Sequence, residues 1–267
     1  MQHLPFFLSL AALTLSGCVI HVDGWSNDRS ATREERVEVP LASATGLRVV
    51  TRNGSIEVSA VDGPAVICSA KFTAWASSED LARQRVDQLR LESRQEGGRL
   101  VLEVVAPDRE ERYGAALRLQ VPLHLALDLD TSNGDIDVLA AYPQVRADTS
   151  NGTVQAEVSG GSAVLDSSNG SITLAGTPAR FEISTSNGSV TVHLPGGWSG
   201  DGSVDTSNGS ITIECAGALG CSVSADTSNA RVRLEGGELR MLGSGADAVG
   251  PHVHLETSNG PITIRQR

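Results

Sequence analysis

Apolar and polar residues trade places at every second position through much of the chain, and the same short polar turn interrupts the alternation at intervals. Leu127-Asp128-Leu129-Asp130 leads into Thr131-Ser132-Asn133-Gly134, and Ile136-Asp137-Val138 follows. After later turns Ile172 and Leu174, Val190 and Val192, and Ile211 and Ile213 alternate with Ser and Thr. Period-two alternation with β-branched residues predicts half-buried strands. Asn-Gly tolerates positive φ, which predicts a sharp bend between the strands of each pair. The block opens as Thr51-Arg52-Asn53-Gly54-Ser55-Ile56-Glu57-Val58, returns at Thr131, and recurs from Thr149, Ser167, Thr185, Thr206, Thr227 and Thr257. Spacings from Thr131 onward are 18, 18, 18, 21, 21 and 30 residues. Asn229-Ala230 departs from Asn-Gly, a change that stacking neighbours are expected to tolerate.

Two architectures fit this pattern. An antiparallel meander would set Leu129 against Val138 across each Asn-Gly hairpin. A parallel solenoid would make each unit of 18–21 residues one coil. A meander has no use for an identical turn in every unit. A solenoid does, because equivalent residues stack about 4.8 Å apart and Asn or Thr side chains can hydrogen-bond along the column. The repetition therefore favours an all-β parallel solenoid over residues 126–267, with Asn133, Asn151, Asn169, Asn187, Asn208, Asn229 and Asn259 as a turn ladder. Seven coils would span roughly 30 Å.

Residues 37–125 read as an N-terminal cap that carries the first coil. Ser77-Ser78-Glu79-Asp80 predicts a helix start, with Asp80 placed for reciprocal capping and a modest apolar stripe of Leu81, Ala82, Val86 and Leu89. A hairpin is expected between Leu89–Ser93 and Leu100–Val105 through Gln95-Glu96-Gly97-Gly98, and then a strand at Ala116–Val121. Coil ends need covering because an open coil exposes strand edges. The C-terminus has no obvious cap, and the loop 235–256 is expected to fold over it.

The start of the chain adds a location. The apolar stretch Leu4–Leu15 is shorter than the about 20 residues a spanning helix needs and has the length of a signal-peptide core. Leu15-Ser16-Gly17-Cys18 resembles the bacterial lipobox. That resemblance implies a signal peptide at 1–17, cleavage after Gly17, and diacylglycerol on the Cys18 sulfur; the residues that follow are polar and lack periodicity, so 18–36 read as lipidated cysteine and flexible tether. Several acyl chains hold a protein at a membrane where one is marginal. The expected location is the cell envelope, at the outer membrane or facing the periplasm. Net charge is −11 and the pI is near 5.0, which argues against nucleic acid and against adsorption to anionic headgroups. Aromatic content of 3% with 28 glycines suits a thin aliphatic core. Exported chains can form disulfides, and Cys215 and Cys221 bracket a flexible Ala-Gly-Ala-Leu-Gly loop, so a bridge is expected there. Cys68 reads as a small buried hydrophobe.

With its recurrent Asn-Gly-x-Ile/Val-x-Val/Ile/Leu turns, a helix-containing insertion after the first turn and an upstream lipobox, the chain resembles the bacterial putative-adhesin family, a domain of unknown function related to head-domain putative autotransporter adhesins. The resemblance covers about residues 37–264 and implies a right-handed β-helix outside the inner membrane. It carries no catalytic or binding residues.

Candidate chemistry sits beside the turns. Asp130, Asp148, Asp166, Ser184, Asp205, Asp226 and Glu256 precede successive turns and would form one outward column. Like charges so close repel and raise each other's pKa. Each carboxylate is expected to accept N–H bonds in its own turn, and the other reading is a shared Ca²⁺ site. His252 and His254 share one strand face but lack further metal ligands, so they read as a surface pair. Trp198 follows Pro195-Gly196-Gly197 and is expected to pack on its own coil. Ser171/Thr173, Ser189/Thr191 and Ser210/Thr212 form a small hydroxyl ladder, interrupted by charged residues elsewhere in its column. There is no Gly-x-Ser-x-Gly elbow and no phosphate loop. The expectation is a non-catalytic envelope module that binds a protein or glycan. The alternatives are a carbohydrate-active β-helix enzyme, marked by carboxylates about 5–10 Å apart in a cleft, and an envelope-stress regulatory protein.

Overall fold

The computed structural model describes residues 29–106, 112–236 and 250–267. Cys18, the expected signal peptide and the tether up to residue 28 lie outside the described residues. The elements of the first part are β1 (Arg29–Pro40), β2 (Gly46–Val50), β3 (Ile56–Ala60), β4 (Ala65–Ala76), α1 (Glu79–Val86), β5 (Arg90–Glu96), β6 (Arg99–Val105) and β7 (Tyr113–Val121). The repeats supply β8 (Ala126–Asn133), β9 (Ile136–Asn151), β10 (Val154–Ser167), β11 (Ile172–Thr185), β12 (Val190–Pro195), β13 (Asp201–Thr206), β14 (Ile211–Ala216), β15 (Ser222–Thr227), β16 (Val232–Glu235), β17 (His252–Thr257) and β18 (Ile262–Gln266). No helix among the described residues is long and apolar enough to cross a membrane.

The chain is all-β apart from α1, and its strand pairing is mostly parallel. The antiparallel pairs among the described residues are β1–β4, β4–β7 and β5–β6, all before the repeats. Successive repeats run parallel and in register, so the meander is excluded. Ile56, Ile136, Val154, Ile172, Val190, Ile211, Ile262 and Val232 form one column. Val49, Leu129, Ala147, Leu165, Ile183, Val204, Leu255 and Ala225 form another on the other side of the turn. Both columns point into one apolar core, and most of their members are fully buried. Each buried Ile or Leu contributes about 2 kcal/mol relative to exposure. Side-chain volumes are matched between layers: Phe181 pairs with Gly202, where a Cβ would lie 2.2 Å from its ring.

Layer order departs from chain order at both ends. The layer of β2 and β3 lies between that of β6 and β7 and that of β8 and β9. At the other end β17 and β18 lie between β13–β14 and β15–β16. Among the described residues the terminal layer is therefore the repeat at Thr227 rather than the last in the chain, and its Leu234 is exposed. Of the loop expected to fold over the C-terminal end, 237–249 lies outside the described residues, and His252–Glu256 belong to an internal strand.

The N-terminal part holds one correction. Arg29–Arg36, assigned above to a flexible tether, are the first two-thirds of β1, which pairs with β4 along its whole length. Few apolar side chains mark this stretch, since backbone pairing and Arg33 hold it. The Arg33 guanidinium lies 4.6 Å from the centre of the Phe72 ring, donates to Leu89 O at 2.6 Å and pairs with Glu35 at 2.8 Å. Helix α1 starts at N-cap Ser78, whose hydroxyl accepts from Leu81 N at 3.3 Å. Leu81 thus holds the position expected of Asp80, and the reciprocal bond is not made. The hairpin of β5 and β6 turns through Gly97 (φ 58°) and Gly98 (φ 79°), a left-handed pair that needs glycine.

Candidate functional site

The repeated turns stack into a column whose residue types each answer a contact between layers. The Thr or Ser that opens each turn points inward. Thr131, Thr149, Ser167, Thr185, Thr206 and Thr257 are buried, and each hydroxyl donates to the turn-glycine carbonyl of the preceding layer at 3.0–3.2 Å. Thr227 does the same to Gly260 O at 3.1 Å. The asparagines face outward and join side chain to side chain. Asn133 donates to Asn53, Asn151 to Asn133, Asn169 to Asn151, Asn187 to Asn169, Asn208 to Asn187, Asn259 to Asn208 and Asn229 to Asn259, at 2.7–3.0 Å. The glycines do not act through φ as expected. Gly134, Gly152, Gly170, Gly188, Gly209 and Gly260 are absent from the positive-φ set. A Cβ on any of them would stand 1.7–2.2 Å from the carbonyl oxygen of the turn glycine below. Glycine is required here by close approach.

The acidic residues align as expected, Asp130 beside Asp148, then Asp166, Ser184, Asp205, Glu256 and Asp226. Burial, then the neighbouring Asp148, pushes the Asp130 and Asp166 carboxyls above the usual range. Burial, then Glu256, does so for Asp205. The expected bonds from each carboxylate's own turn are replaced. Turn amides donate instead to carbonyls of the adjacent layer, as from Asn169 N to Ser150 O and Asn187 N to Ser168 O, both 3.0 Å, because parallel stacking offers those acceptors in register. Arg48 (3.9 Å from Asp130), Arg146 and His254 (3.6 Å from Glu256) offset the repulsion. The carboxylates form a row, and no three His, Cys, Asp or Glu side chains among the described residues converge on one point.

Cys215 and Cys221 are free thiols, not the expected disulfide. The chain between them carries β14 into β15, and the layer of β17 and β18 intervenes. The two thiols still sense one another, since Cys215 adds to the burial that raises the Cys221 thiol. Cys215 is buried in register with Leu194, and burial pushes the Cys221 thiol up to about 11. Cys68 is buried, with its thiol pushed up to about 12. Trp198 is buried, as expected of a coil-packing aromatic. Its Nε1 donates to Pro178 O at 2.7 Å and its ring centre lies 5.6 Å from that of Phe181. His252 and His254 join a surface row in which Ser224 Oγ lies 2.9 Å from His252 Nε2 and from His254 Nδ1. In the outward hydroxyl ladder Thr173, Thr191, Thr212 and Thr263 are in register, and Ser210 donates to Ser189 at 3.0 Å.

The sequence did not point to the place where the turn column begins. Two cavities of about 830 and 520 Å³ adjoin there at Arg52 and Tyr113. The larger is lined by Arg52, Asn53, Lys71, Trp75 and Arg112 above a small-residue floor that includes Gly114. Trp75 ring carbons lie 3.6 Å from where a Gly114 Cβ would be. The smaller holds Thr51, Glu103 and Asp130. Glu103 is tied to Arg94 at 2.6 Å. The available signal was Trp75, one of three tryptophans, set on an alternating strand with Lys71 and Thr73.

No protein-family model matches the chain, and no curated protein matches it. Solved structures resemble it at low identity. A putative cell adhesion protein from Clostridium sporogenes is 12% identical, with 88% of this chain and 100% of that one covered and a TM-score of 0.37. A putative adhesin from Bacteroides fragilis is 11% identical over 86% of this chain and 96% of that one, with a TM-score of 0.43. A putative lipid binding protein from Parabacteroides distasonis is 15% identical over 86% and 96%, with a TM-score of 0.38.

Proposed function

We propose that the chain is a lipid-anchored, extracytoplasmic β-solenoid of right-handed sense that serves as a non-catalytic, adhesin-like binding or scaffold module of the cell envelope. One observation carries the reading: the asparagine ladder runs unbroken from Asn53 to Asn229 along parallel layers in register. Such a ladder fixes the spacing of every outward residue and leaves the sides as a stiff display surface. The lipobox at Cys18 supports anchoring, and the family resemblance supports the hand and the adhesin-like role. A catalytic reading would rest on Glu103 and Asp130 in the smaller cavity, but Glu103 is ion-paired with Arg94 at 2.6 Å.

The reading is tested by fractionating a bacterial host that expresses the full chain. The wild type should follow the membranes and Cys18→Ser should not. Incubated with envelope polysaccharide, the chain should release no reducing ends. Wild-type protein in the soluble fraction, or reducing ends whose release is lost in Asp130→Asn, would overturn the proposal.

A further inference from the structure

We infer that the asparagine ladder is a row of latent self-modification sites, in which each Asn-Gly turn closes to a cyclic imide once its rung opens and then hydrolyses to aspartate or isoaspartate. The step needs only the chain and water. The glycine nitrogen attacks the asparagine Cγ. An N–Cγ bond forms, the Cγ–Nδ2 bond breaks, and the side-chain amide leaves as ammonia with the proton from the glycine N–H. Water then adds to either imide carbonyl and reopens the ring as a carboxylic acid. Glycine obstructs the attack least, because it has no Cβ beside the nitrogen. Seven turns carry the pair, at Asn53, Asn133, Asn151, Asn169, Asn187, Asn208 and Asn259, and from Asn133 onward these side chains are exposed to water.

The stack holds the internal rungs shut from two sides. Asn151, Asn169, Asn187 and Asn208 each donate through Nδ2 to the rung below and accept on Oδ1 from the rung above, at 2.8–3.0 Å. Turning Cγ toward the attacking nitrogen breaks both bonds. The backbone is held as well. Asn187 N donates to Ser168 O and Ser189 O accepts from Ile172 N, both at 3.0 Å, so the Asn187–Gly188 peptide is bracketed by two interlayer bonds. Asn169 is bracketed alike by Ser150 O and Val154 N, and Asn208 by Ser186 O and Val190 N. A Cβ on Gly188 would stand 1.9 Å from Gly170 O, so the peptide has no room to swing. Ring closure therefore waits for the layers to part, and its rate follows the open fraction. The ends of the ladder are guarded differently. Asn53 accepts a rung, and the attacking group beside it, Gly54 N, donates to Asn133 O at 2.8 Å. Asn229, the last described rung, is followed by Ala230, whose methyl hinders the attack. Opening also travels one way. The acid formed at a rung has lost Nδ2 and turns its carboxylate on Oδ1 of the rung below, while the rung above still has an acceptor.

The test is peptide mapping by mass spectrometry of the full chain held in mildly alkaline buffer, which counts the acid formed at each turn. In urea all seven pairs should convert at comparable rates. In the folded chain Asn151, Asn169, Asn187 and Asn208 should convert at least about tenfold more slowly. Asn187→Asp imitates one event and leaves every glycine in place. It should speed Asn169, the rung below, by about threefold or more and leave Asn208, the rung above, at its wild-type rate. Gly170→Ala sets a methyl after Asn169 and parts the layers, so Asn169 should slow while Asn151 and Asn187 quicken. Circular dichroism establishes that each variant is folded. Should Gly170→Ala fail to fold, Thr185→Val, which frees Gly170 O, serves in its place and should quicken Asn169. Equal rates in urea and in the folded chain would overturn the inference. So would an Asn169 rate untouched by Asn187→Asp, or an Asn208 rate that rises as much as that of Asn169, since the loss would then not pass along the ladder.

Discussion

Gly170→Ala, in the middle of the stack, tests the claim that the turn glycines exist for close approach. The added Cβ would sit 1.7 Å from Gly152 O and 2.5 Å from Gly152 C, both backbone atoms that cannot rotate away. To reach ordinary contact the two layers must part locally by more than about 1 Å, which carries hydrogen bonds of 3.0 Å past their useful length. Five bonds cross that interface at the turn: Ser167 Oγ to Gly152 O, Asn169 Nδ2 to Asn151 Oδ1 and, at 3.4 Å, to Ser150 O, Ser168 N to Thr149 O and Asn169 N to Ser150 O. At about 0.5–1.5 kcal/mol each, with some kept by relaxation, the loss is about 3 kcal/mol. Against a typical 5–15 kcal/mol that is a large fraction. Gly160→Ala is the control: nothing lies within 4 Å of its Cβ position, and its φ of +89° costs about 1–2 kcal/mol in strain alone. Urea unfolding followed by circular dichroism gives both values. If Gly170→Ala loses no more stability than Gly160→Ala, the close-approach argument is wrong.

Three further outcomes are expected. Thr185→Val removes the buried donor to Gly170 O at 3.0 Å while keeping side-chain volume, and should cost about 1–2 kcal/mol in the same assay. Asn187→Ala breaks two rungs, to Asn169 at 2.9 Å and from Asn208 at 3.0 Å, and should cost about 1–2 kcal/mol despite its exposure. Asp166 has a carboxyl raised in the folded state by burial and by Asp148, so the folded protein holds that proton more tightly than the unfolded chain. Its stabilising contribution is complete below the unfolded value of about 3.9 and is lost as pH rises through the folded pKa. Asp166→Asn should therefore raise the melting temperature at pH 7, by less than about 1 kcal/mol equivalent given solvent screening, and leave it unchanged near pH 3. A lower melting temperature at pH 7 would contradict the cause assigned to the shift.

What was legible in the sequence was what repeats. Alternation placed Leu129, Ile136 and their equivalents inside, and the recurrence of Asn at one turn position required a partner of the same kind. Parallel stacking meets that requirement and a meander does not. Contacts made once were less legible. Arg29–Arg36 lack apolar periodicity, and their strand exists because β4 offers a backbone edge and Phe72 offers a ring to Arg33. The Cys215–Cys221 loop length was compatible with a bridge, but the chain uses that loop to step over a layer. The cavity beside Trp75 depends on a column coming to an end, and a repeat motif does not signal its own last rung.

The inverted order of the last two layers coincides with Ala230, the one turn of the series without glycine. An internal turn has fixed neighbours on both sides, and the alanine Cβ there would meet a glycine carbonyl at about the 1.8 Å found for Gly260 against Gly209 O. The terminal layer has no described layer beyond it, so its chain is free to tilt at Ala230 while the rungs beside it hold, Thr227 Oγ1 to Gly260 O at 3.1 Å and Asn229 Nδ2 to Asn259 Oδ1 at 2.8 Å, and Gly260 takes the internal place. The 30-residue spacing before Thr257 supplies the chain length to pass one layer and return. Ala230→Gly should remove this preference and let the Thr227 layer compete for the position against β13. The exchange can be read with cysteines at Ser203 and Ser224, outward positions that both pair with His254 and so stand two layers apart. At about 10 Å they should not cross-link in the native order, and at about 4.8 Å in the exchanged order they should. Cross-linking that appears with Ala230→Gly and is absent with Ala230 would tie layer order to that one methyl group. Equal cross-linking in both backgrounds would show that the order is set elsewhere.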